Sequence, residues 1–385
     1  MLRLVRLILA VSLLAFLRMG PVIAQSGSAT ETMEASAPPE SDFGDLYYLG
    51  SFASAKDLVP HSGICGAFGL VGRPPVPLSE VSRKPSRSRC DIVVDVVAGK
   101  QEFGPEDMIS WPYRIATDSK DRVIVVDRDR YPSIHIFDFA RRQHTRIAGG
   151  PGERLQAPSG LAIDAQDQWY VTDAQLGAIL VYGPNGKFLR SIGTRKGERL
   201  FARPSGIAVD SASGHIYVAD PLQNVVVILD ADGNILTKLG TKAGGSDPGA
   251  FAAPTDLVVR GQELFVLDSR NNRIQVFDLA GNFRASIHPE SMVPSLGFSV
   301  DSRSRIYLDG PLNTVQVFQR DGRLLFRFGY TGAGHGQFQE PTGIWTDRLD
   351  RIYVADTGNR RVQSFEWGVK HGIKLPHPDE QSGRH

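Results

Sequence analysis

The chain has 385 residues, and 41% of them are apolar. Its 43 Lys and Arg residues balance its 42 Asp and Glu residues, so the formal net charge is +1. Such a molecule has no overall field that would draw it to nucleic acid or to anionic lipid. We therefore expect no nucleic-acid partner.

Residues 1–24 predict a signal peptide that is removed on export. Arg3 and Arg6 precede an apolar run of eleven residues, 7–17, which is too short to cross a bilayer as a helix. Ala24 is a small residue that suits a signal peptidase. The alternative, an uncleaved anchor, would need a longer apolar core. We predict a secreted or periplasmic protein with no stable membrane insertion after cleavage.

Two segments separate the signal from the repeats. Residues 25–45 are rich in Ser, Ala, Glu and Pro without apolar periodicity, which predicts a disordered spacer. Residues 46–91 form an N-terminal extension that holds both cysteines, Cys65 and Cys90. In an oxidising compartment their pairing would close a loop of about 25 residues and stabilise it by about 3 kcal/mol. The alternative is two unpaired thiols.

Residues 92–367 predict an all-β fold built from six copies of one repeat. Each copy has a Pro and a Gly, an apolar strand ending in Asp, a second such strand, and a third with Val or Ile before Phe; residues 204–220 and 341–356 are the clearest. The period is that of propeller blades, about 40 to 50 residues. The aspartates that close the second strands are Asp127, Asp173, Asp220, Asp268, Asp309 and Asp356.

Each copy predicts a four-stranded antiparallel blade, because glycine turns such as Asn185-Gly186 join the third strand to a fourth. The last copy stops after its third strand at Trp367, and residues 368–385 are a polar tail. Ahead of the first copy, residues 92–98 form an unattached apolar strand. We predict that this N-terminal strand completes the last blade and closes the ring, which leaves no open edge. The alternative is that it packs elsewhere on the extension.

Three patterns in these copies resemble the NHL repeat. They are Pro-x-Gly-Ile/Leu-Ala-Val/Ile-Asp, Tyr-Val-Ala/Thr-Asp, and the Asn-x-Arg formed by Asn271 with Arg273 and by Asn359 with Arg361. The resemblance implies a six-bladed propeller, which is found in exported bacterial proteins, in an amidating lyase, and in protein- and RNA-binding modules. A fold that is shared so widely does not establish a function without a site.

The closing aspartates recur in every blade, so we interpret them as turn-fixing acceptors and not as catalytic groups. Residues that break the repeat are better candidates. The glycine after proline is replaced by Arg114 in copy one and by Asp256 in copy four. These blades lie opposite one another in a six-membered ring. We therefore predict a cation facing an anion at the channel mouth, which could orient a small zwitterionic or peptide-like ligand. The alternative is that both side chains bind local backbone groups.

Two further departures are candidates of different kinds. Arg130 and Tyr131, in the loop between the second and third strands of copy one, have no counterpart in the other copies, and we predict a ligand contact there. Trp345 replaces small residues of the first strand, and we expect it to fill the gap between adjacent blades.

The amidating lyases that share this fold hold zinc with three histidines. Here His135 lies at a packing position and His215 in a hairpin at the opposite face, which leaves His288 and His335 without an evident third ligand. We therefore predict no catalytic residue, metal or cofactor. Our interpretation is an exported, monomeric, non-enzymatic binding propeller that engages a protein, peptide or small ligand. The alternative is a lyase or hydrolase that acts in the channel.

Overall fold

The computed structural model of the chain describes residues 45–53, 108–148, 155–195 and 197–368. Within these residues, six antiparallel sheets of four strands each are formed. The first strands of neighbouring sheets contact one another all the way round, and the first strand of blade one contacts that of blade six. The prediction of a six-bladed propeller is therefore confirmed.

The strands of the first three blades follow one another in the chain. Blade one contains Pro112–Thr117, Val123–Asp127, Ser133–Asp138 and Gln143–Ile147. Blade two contains Pro158–Ile163, Trp169–Asp173, Ala178–Tyr182 and Phe188–Ile192. Blade three contains Ile207–Val209, Ile216–Asp220, Val225–Leu229 and Ile235–Gly240. A small hairpin between blades two and three pairs Thr194–Arg195 with Glu198–Arg199.

The remaining blades include the only one that takes a strand from elsewhere in the chain. Blade four contains Pro254–Arg260, Glu263–Asp268, Arg273–Asp278 and Phe283–Ile287. Blade five contains Phe298–Val300, Ile306–Gly310, Thr314–Phe318 and Leu324–Phe328. Blade six contains Pro341–Thr346, Ile352–Asp356, Arg361–Gly368 and the N-terminal strand Asp45–Phe52. The described residues also form three short 3-10 helices, Ser269–Asn271, Pro311–Asn313 and Thr357–Asn359.

The core lies between blades. The cluster between blades two and three joins buried Tyr170 and Val181 to Val218 and Val227. Second strands such as Val123–Asp127 are buried along their whole length, whereas the outermost strands are partly exposed. Because both faces of a blade are apolar, each blade buries its faces only against its neighbours.

The N-terminal strand Asp45–Phe52 closes the ring by pairing antiparallel with Arg361–Gly368 as the outermost strand of blade six. Closure by an N-terminal strand is therefore confirmed, but the prediction that residues 92–98 supply it is wrong. The two paired strands are both eight residues long, so the earlier segment protects the whole edge. Residues 92–98 lie outside the described residues, as do residues 1–24, for which a signal peptide is predicted, and Cys65 and Cys90.

The joint between blades six and one contains two aromatic side chains. Phe52 is buried and its ring centroid lies 4.8 Å from that of Phe137 in blade one. Trp345, partly buried, packs against the apolar side chains of blade one, and its indole Nε1 donates a hydrogen bond to Thr117 Oγ1 at 3.0 Å. The prediction that Trp345 fills a gap between blades is confirmed.

Aspartates at the ends of the second and the first strands hold the turns at the two ends of the blades. Asp127 accepts hydrogen bonds from the backbone amides of Ser110 and Trp111 at 2.7 and 2.8 Å. In blade four, Arg273 Nε donates to Asp268 at 2.8 Å. First-strand aspartates likewise accept from backbone amides of the following hairpin. These contacts confirm the structural interpretation.

None of the helices found in the described ranges is long and apolar enough to cross a membrane.

Phe52→Ala should lower the free energy of unfolding by about 3 kcal/mol, because it leaves a cavity at the ring closure. Phe283→Ala is the matched control, since Phe283 also lies on an outermost strand but is 37% exposed. We expect the control to lose about 1 kcal/mol or less. Urea unfolding followed by tryptophan fluorescence measures both. Equal losses in the two variants would contradict closure by Asp45–Phe52.

Candidate functional site

One end of the channel gathers most departures from the repeat. This end, the top face, consists of the loops that join second to third strands and the linker residues that lead into each first strand. The closing aspartates of the second strands connect these two sets by accepting hydrogen bonds from linker amides. Side chains at the start of the first strands therefore surround the channel mouth.

Arg114 and Asp256 meet across this mouth. Arg114 Nη2 lies 3.9 Å from Asp256 Oδ2, although the residues belong to blades one and four. Both side chains are about nine-tenths buried. Gly297 lies beside both side chains: a Cβ atom there would be in van der Waals contact with Arg114 Nη1 at 3.4 Å and Asp256 Oδ2 at 3.5 Å, and too close to the Thr342 carbonyl oxygen at 2.8 Å. The predicted geometry of a cation facing an anion is therefore found.

Arg114 is also bound by the walls of the channel. Its Nη1 donates to the carbonyl oxygens of Tyr113 and Thr342, both at 3.1 Å, and its Nη2 donates to that of Leu296 at 2.8 Å. Its Nε has no partner among the described residues. The side chain thus links blades one, five and six, as the backbone-binding alternative expected. The ligand role of the Arg114–Asp256 pair stays a prediction.

Burial dominates the electrostatics of Asp256. Burial raises the pKa of this carboxyl, while the charge of Arg114 and the backbone amides of Leu257 and Phe298 oppose the rise. No hydrogen bond joins Arg114 to Asp256 at 3.9 Å, so their attraction does not offset the loss of water.

Asp309 is a third charged group at the mouth, and it differs from the five other aspartates that close second strands. Those five are at most 2% exposed, and each accepts a backbone hydrogen bond of 2.6 or 2.7 Å. Asp309 is only partly buried, and its side-chain hydrogen bonds, from the amides of Leu296 and Gly297, are both 3.4 Å long. Its carboxylate is therefore weakly satisfied.

The linker of blade five differs from the others in its sequence. The short bonds of the other five aspartates come from the amide two residues before the proline, and in blade five the residue at that position, Val293, makes no such bond to Asp309. In blades one to three, the residue just before the conserved proline donates its amide to the aspartate; examples are Trp111 and Ala157. Counting back from Gly297, Pro294 occupies this position, and proline has no N–H group. Blade five also lacks the Asn-x-Arg pattern. Burial raises the pKa of Asp309 to about 7, against the opposing effects of the two amides and Arg114.

The position before the repeat glycine shows two more departures. In four blades a Ser or Thr there donates to a carbonyl of the next blade, as Ser205 Oγ does to Thr255 at 2.9 Å. Tyr113 and Leu296 replace it in blades one and five. The Tyr113 ring lies between the guanidinium groups of Arg114 and Arg128, at 4.5 and 4.8 Å from its centroid. A comparison of the position before the repeat glycine among the six copies would have identified both Tyr113 and Leu296 from the sequence.

Exposed apolar side chains concentrate on the top face. Seven of the eleven large exposed ones in the described part of the chain belong to it, and the other four, Leu189, Leu236, Phe283 and Leu349, lie on outermost strands or at the opposite face. Leu312 is 84% exposed and has a left-handed φ of 58°, which is costly for Leu. The seven are Met108, Trp111, Tyr131, Leu222, Leu296, Leu312 and Tyr330.

Arg130 and Tyr131 lie at the outer part of this face. Both are exposed, and Arg146 of the outermost strand donates to the Tyr131 carbonyl at 3.2 Å. Among the described residues, no hydrogen bond or ion pair connects Arg130 or Tyr131 with Arg114 or Asp256. The structure thus separates the four predicted residues into two places, and the ligand contact at Arg130 and Tyr131 stays a prediction.

The histidines are dispersed. His135 is fully buried, as its packing position predicted, and its Nδ1 lies 3.0 Å from His144 Nε2. His288 and His335 are both exposed. Across the described ranges, no group of three or more His, Cys, Asp or Glu side chains could hold a metal ion. The described residues therefore do not supply the three-histidine zinc set of the amidating lyases.

A further departure lies at the opposite end of the channel. Arg260 stands where five blades have the first-strand aspartate. It donates to the Val300 carbonyl and to Thr346 Oγ1 at 3.2 Å, and so connects blade four with blades five and six. These hydrogen bonds of Arg260 are all made to acceptors within the ring, which indicates a structural role for this side chain.

Comparison with known proteins supports the repeat assignment. The family model of the NHL repeat matches residues 201–224 and 251–277, which lie in blades three and four and the linkers before them. Peptidylglycine alpha-amidating monooxygenase of Rattus norvegicus is 24% identical over 315 residues, which cover 69% of this chain and 32% of that protein. NHL repeat-containing protein 3 of Homo sapiens is 26% identical over 180 residues, covering 42% and 51% respectively. The chain thus spans between a third and a half of the length of these relatives.

Two solved structures are similar in fold. A gluconolactonase from Xanthomonas campestris superposes with a TM-score of 0.52 and 18% identity, covering 68% of this chain and 88% of that one. A streptogramin B lyase superposes with a TM-score of 0.51 and 14% identity, covering 67% and 94%. At these identities the likeness shows the fold alone. Together with the six sheets, the matches show that the chain is a six-bladed β-propeller that contains NHL repeats in blades three and four.

Proposed function

We propose that the chain is an exported binding propeller that docks a protein or peptide on its top face. The concentration of exposed apolar side chains on this face carries the proposal, because seven of the eleven large ones in the described residues lie on one face and could serve as anchors for a bound chain. The loops that present it are fixed by the closing aspartates, so the surface is formed before binding. Export rests only on the pattern of residues 1–24.

A lyase or hydrolase acting in the channel is the second candidate. The alignment with the amidating monooxygenases over 315 residues favours it. Docking comes first because the described residues offer an apolar face but no three-ligand metal set. Stoichiometric zinc in protein purified without chelators would reverse this order.

Peptides that bind the full chain can be selected from a random library. The top-face variant carries Trp111→Ser, Leu222→Ser and Leu312→Asn. The selected peptides should bind this variant about 30-fold or more weakly than the wild type, because exposed apolar anchors contribute about 1 kcal/mol or more each. The matched control carries Leu189→Ser, Leu236→Ser and Phe283→Ser on outermost strands. Its affinity should stay within about twofold of the wild type. Fluorescence polarisation with a labelled peptide measures all three proteins.

Two outcomes would overturn docking on this face. One is an equal loss of affinity in the outermost-strand control. The other is a selection that enriches no peptide with measurable binding to the wild type.

The Arg114–Asp256 pair contributes to this proposal by fixing the mouth around which the apolar side chains are arranged. Arg114→Met should lower the free energy of unfolding by about 3 kcal/mol, because it leaves Asp256 buried without a counter-charge and leaves three carbonyls unpaired. Adding Asp256→Asn should recover about 1 kcal/mol or more of that loss.

Arg348→Met is the control, since it breaks an exposed ion pair with Asp121 and should change stability by less than about 1 kcal/mol. Urea denaturation of the wild type and the three variants gives the values. If Arg114→Met is no more harmful than this control, the pair does not hold the mouth.

A further inference from the structure

Among the described residues, Asp309 is a carboxyl group at the mouth that forms no ion pair. Asp256 lies nearest the Arg114 guanidinium, at 3.9 Å, and Arg114 is the only cation among the principal groups that act on Asp309. Arg128 contacts the Tyr113 ring, which is also the aromatic neighbour of Arg114. The negative charge of an ionised Asp309 is therefore only weakly compensated.

Asp309 also has room for an external donor. A carboxylate accepts up to about four hydrogen bonds. Asp309 receives two, both 3.4 Å long, from the amides of Leu296 and Gly297. It is the only closing aspartate among the six that is not almost wholly buried, so a ligand at the mouth can approach it.

The chemistry beside Asp309 favours a cation that carries an apolar body. Leu296, whose amide points to Asp309, is 45% exposed at the same place. An anionic ligand is disfavoured, because Arg114 is buried, is bound by three carbonyls, and lies beside two carboxylates. The zwitterionic ligand of the sequence prediction would thus find a site for its ammonium group but not for its carboxylate.

We propose that Asp309, together with Leu296, forms a subsite for a protonated amine on an apolar group, such as a basic side chain or the amino terminus of a docked chain. The inference rests on the proposed function, since it specifies what the docked ligand presents at the channel mouth. The ammonium group supplies short, charge-assisted hydrogen bonds, which Asp309 does not receive from the linker of blade five, since both amide bonds to it are 3.4 Å long.

The probe is 4-fluorobenzylammonium, and its binding to the full chain is followed by fluorine NMR line broadening. Asp309→Asn should weaken binding about tenfold, because the amide keeps the shape but removes the charge. Leu296→Ala should weaken it about threefold. The matched control Asp129→Asn removes an exposed carboxylate from the top face of blade one and should leave binding unchanged. The neutral 4-fluorobenzyl alcohol and the anionic 4-fluorobenzoate should bind at least about tenfold more weakly than the amine.

The wild type alone gives an independent readout, which decides the question if Asp309→Asn does not fold. The groups that act on the Asp309 carboxyl are the amides of Gly297 and Leu296 and the charge of Arg114, and burial raises the pKa of Asp309 to about 7. Asp256, which is paired with Arg114 at 3.9 Å, also has a pKa raised by burial. The amine stays protonated between pH 5.5 and 8, whereas the carboxylate of Asp309 becomes charged as the pH rises through its pKa. Binding should therefore be about tenfold tighter at pH 8 than at pH 5.5.

Three results would overturn the subsite: equal binding to the wild type and Asp309→Asn, equal binding of the alcohol or the benzoate, or an affinity that does not change with pH. The small probe binds without a partner chain, so the two experiments are independent. If the amine does not bind, the result of the peptide selection is still valid, and if no peptide binds, the amine measurement is still valid.

Discussion

Every blade of this propeller has two apolar faces, and no blade can remove both from water alone. The six sheets therefore form only as a ring, in which each face is buried against a neighbour. The ring must close without an unpaired edge, and the strand Asp45–Phe52 satisfies this condition by joining blade six from the other end of the chain. The channel, its mouth and the loops around it exist as defined surfaces because of this closure.

Repetition also indicates the role of the polar residues that recur in every blade. Aspartates at the strand ends bind backbone amides in blade after blade, so their conserved place within the repeat indicates support for the turns. A copy that loses the donor keeps the carboxylate without its partner. In blade five the short amide bond is missing, and Asp309 is left partly exposed with hydrogen bonds of 3.4 Å. A chemically distinctive group thus arises from a small irregularity in a structural motif.

The candidate site was partly predictable. The repeat register placed Arg114 and Asp256 in opposite blades, and the structure brings them to 3.9 Å. The same register could have identified Tyr113 and Leu296, because each breaks a slot that the other four copies fill with Ser or Thr. Register could not tell that Arg114 would use its donors on backbone carbonyls, since those of Leu296 and Thr342 belong to blades that are distant in sequence. The charge open to a ligand is consequently that of Asp309 and not that of the predicted pair.

By itself, the sequence determined the number of blades, the four strands in each, the NHL-type repeat and the inward packing of Trp345, because all of these follow from local periodicity and turn chemistry. Tertiary structure decided which N-terminal segment closes the ring. Residues 45–52 and 92–98 are both apolar strand candidates, and only pairing along the full length of Arg361–Gly368 separates them. It also decided the exposure and the pKa of Asp309, since hydrogen bonding and access to water depend on groups that only the folded ring brings together.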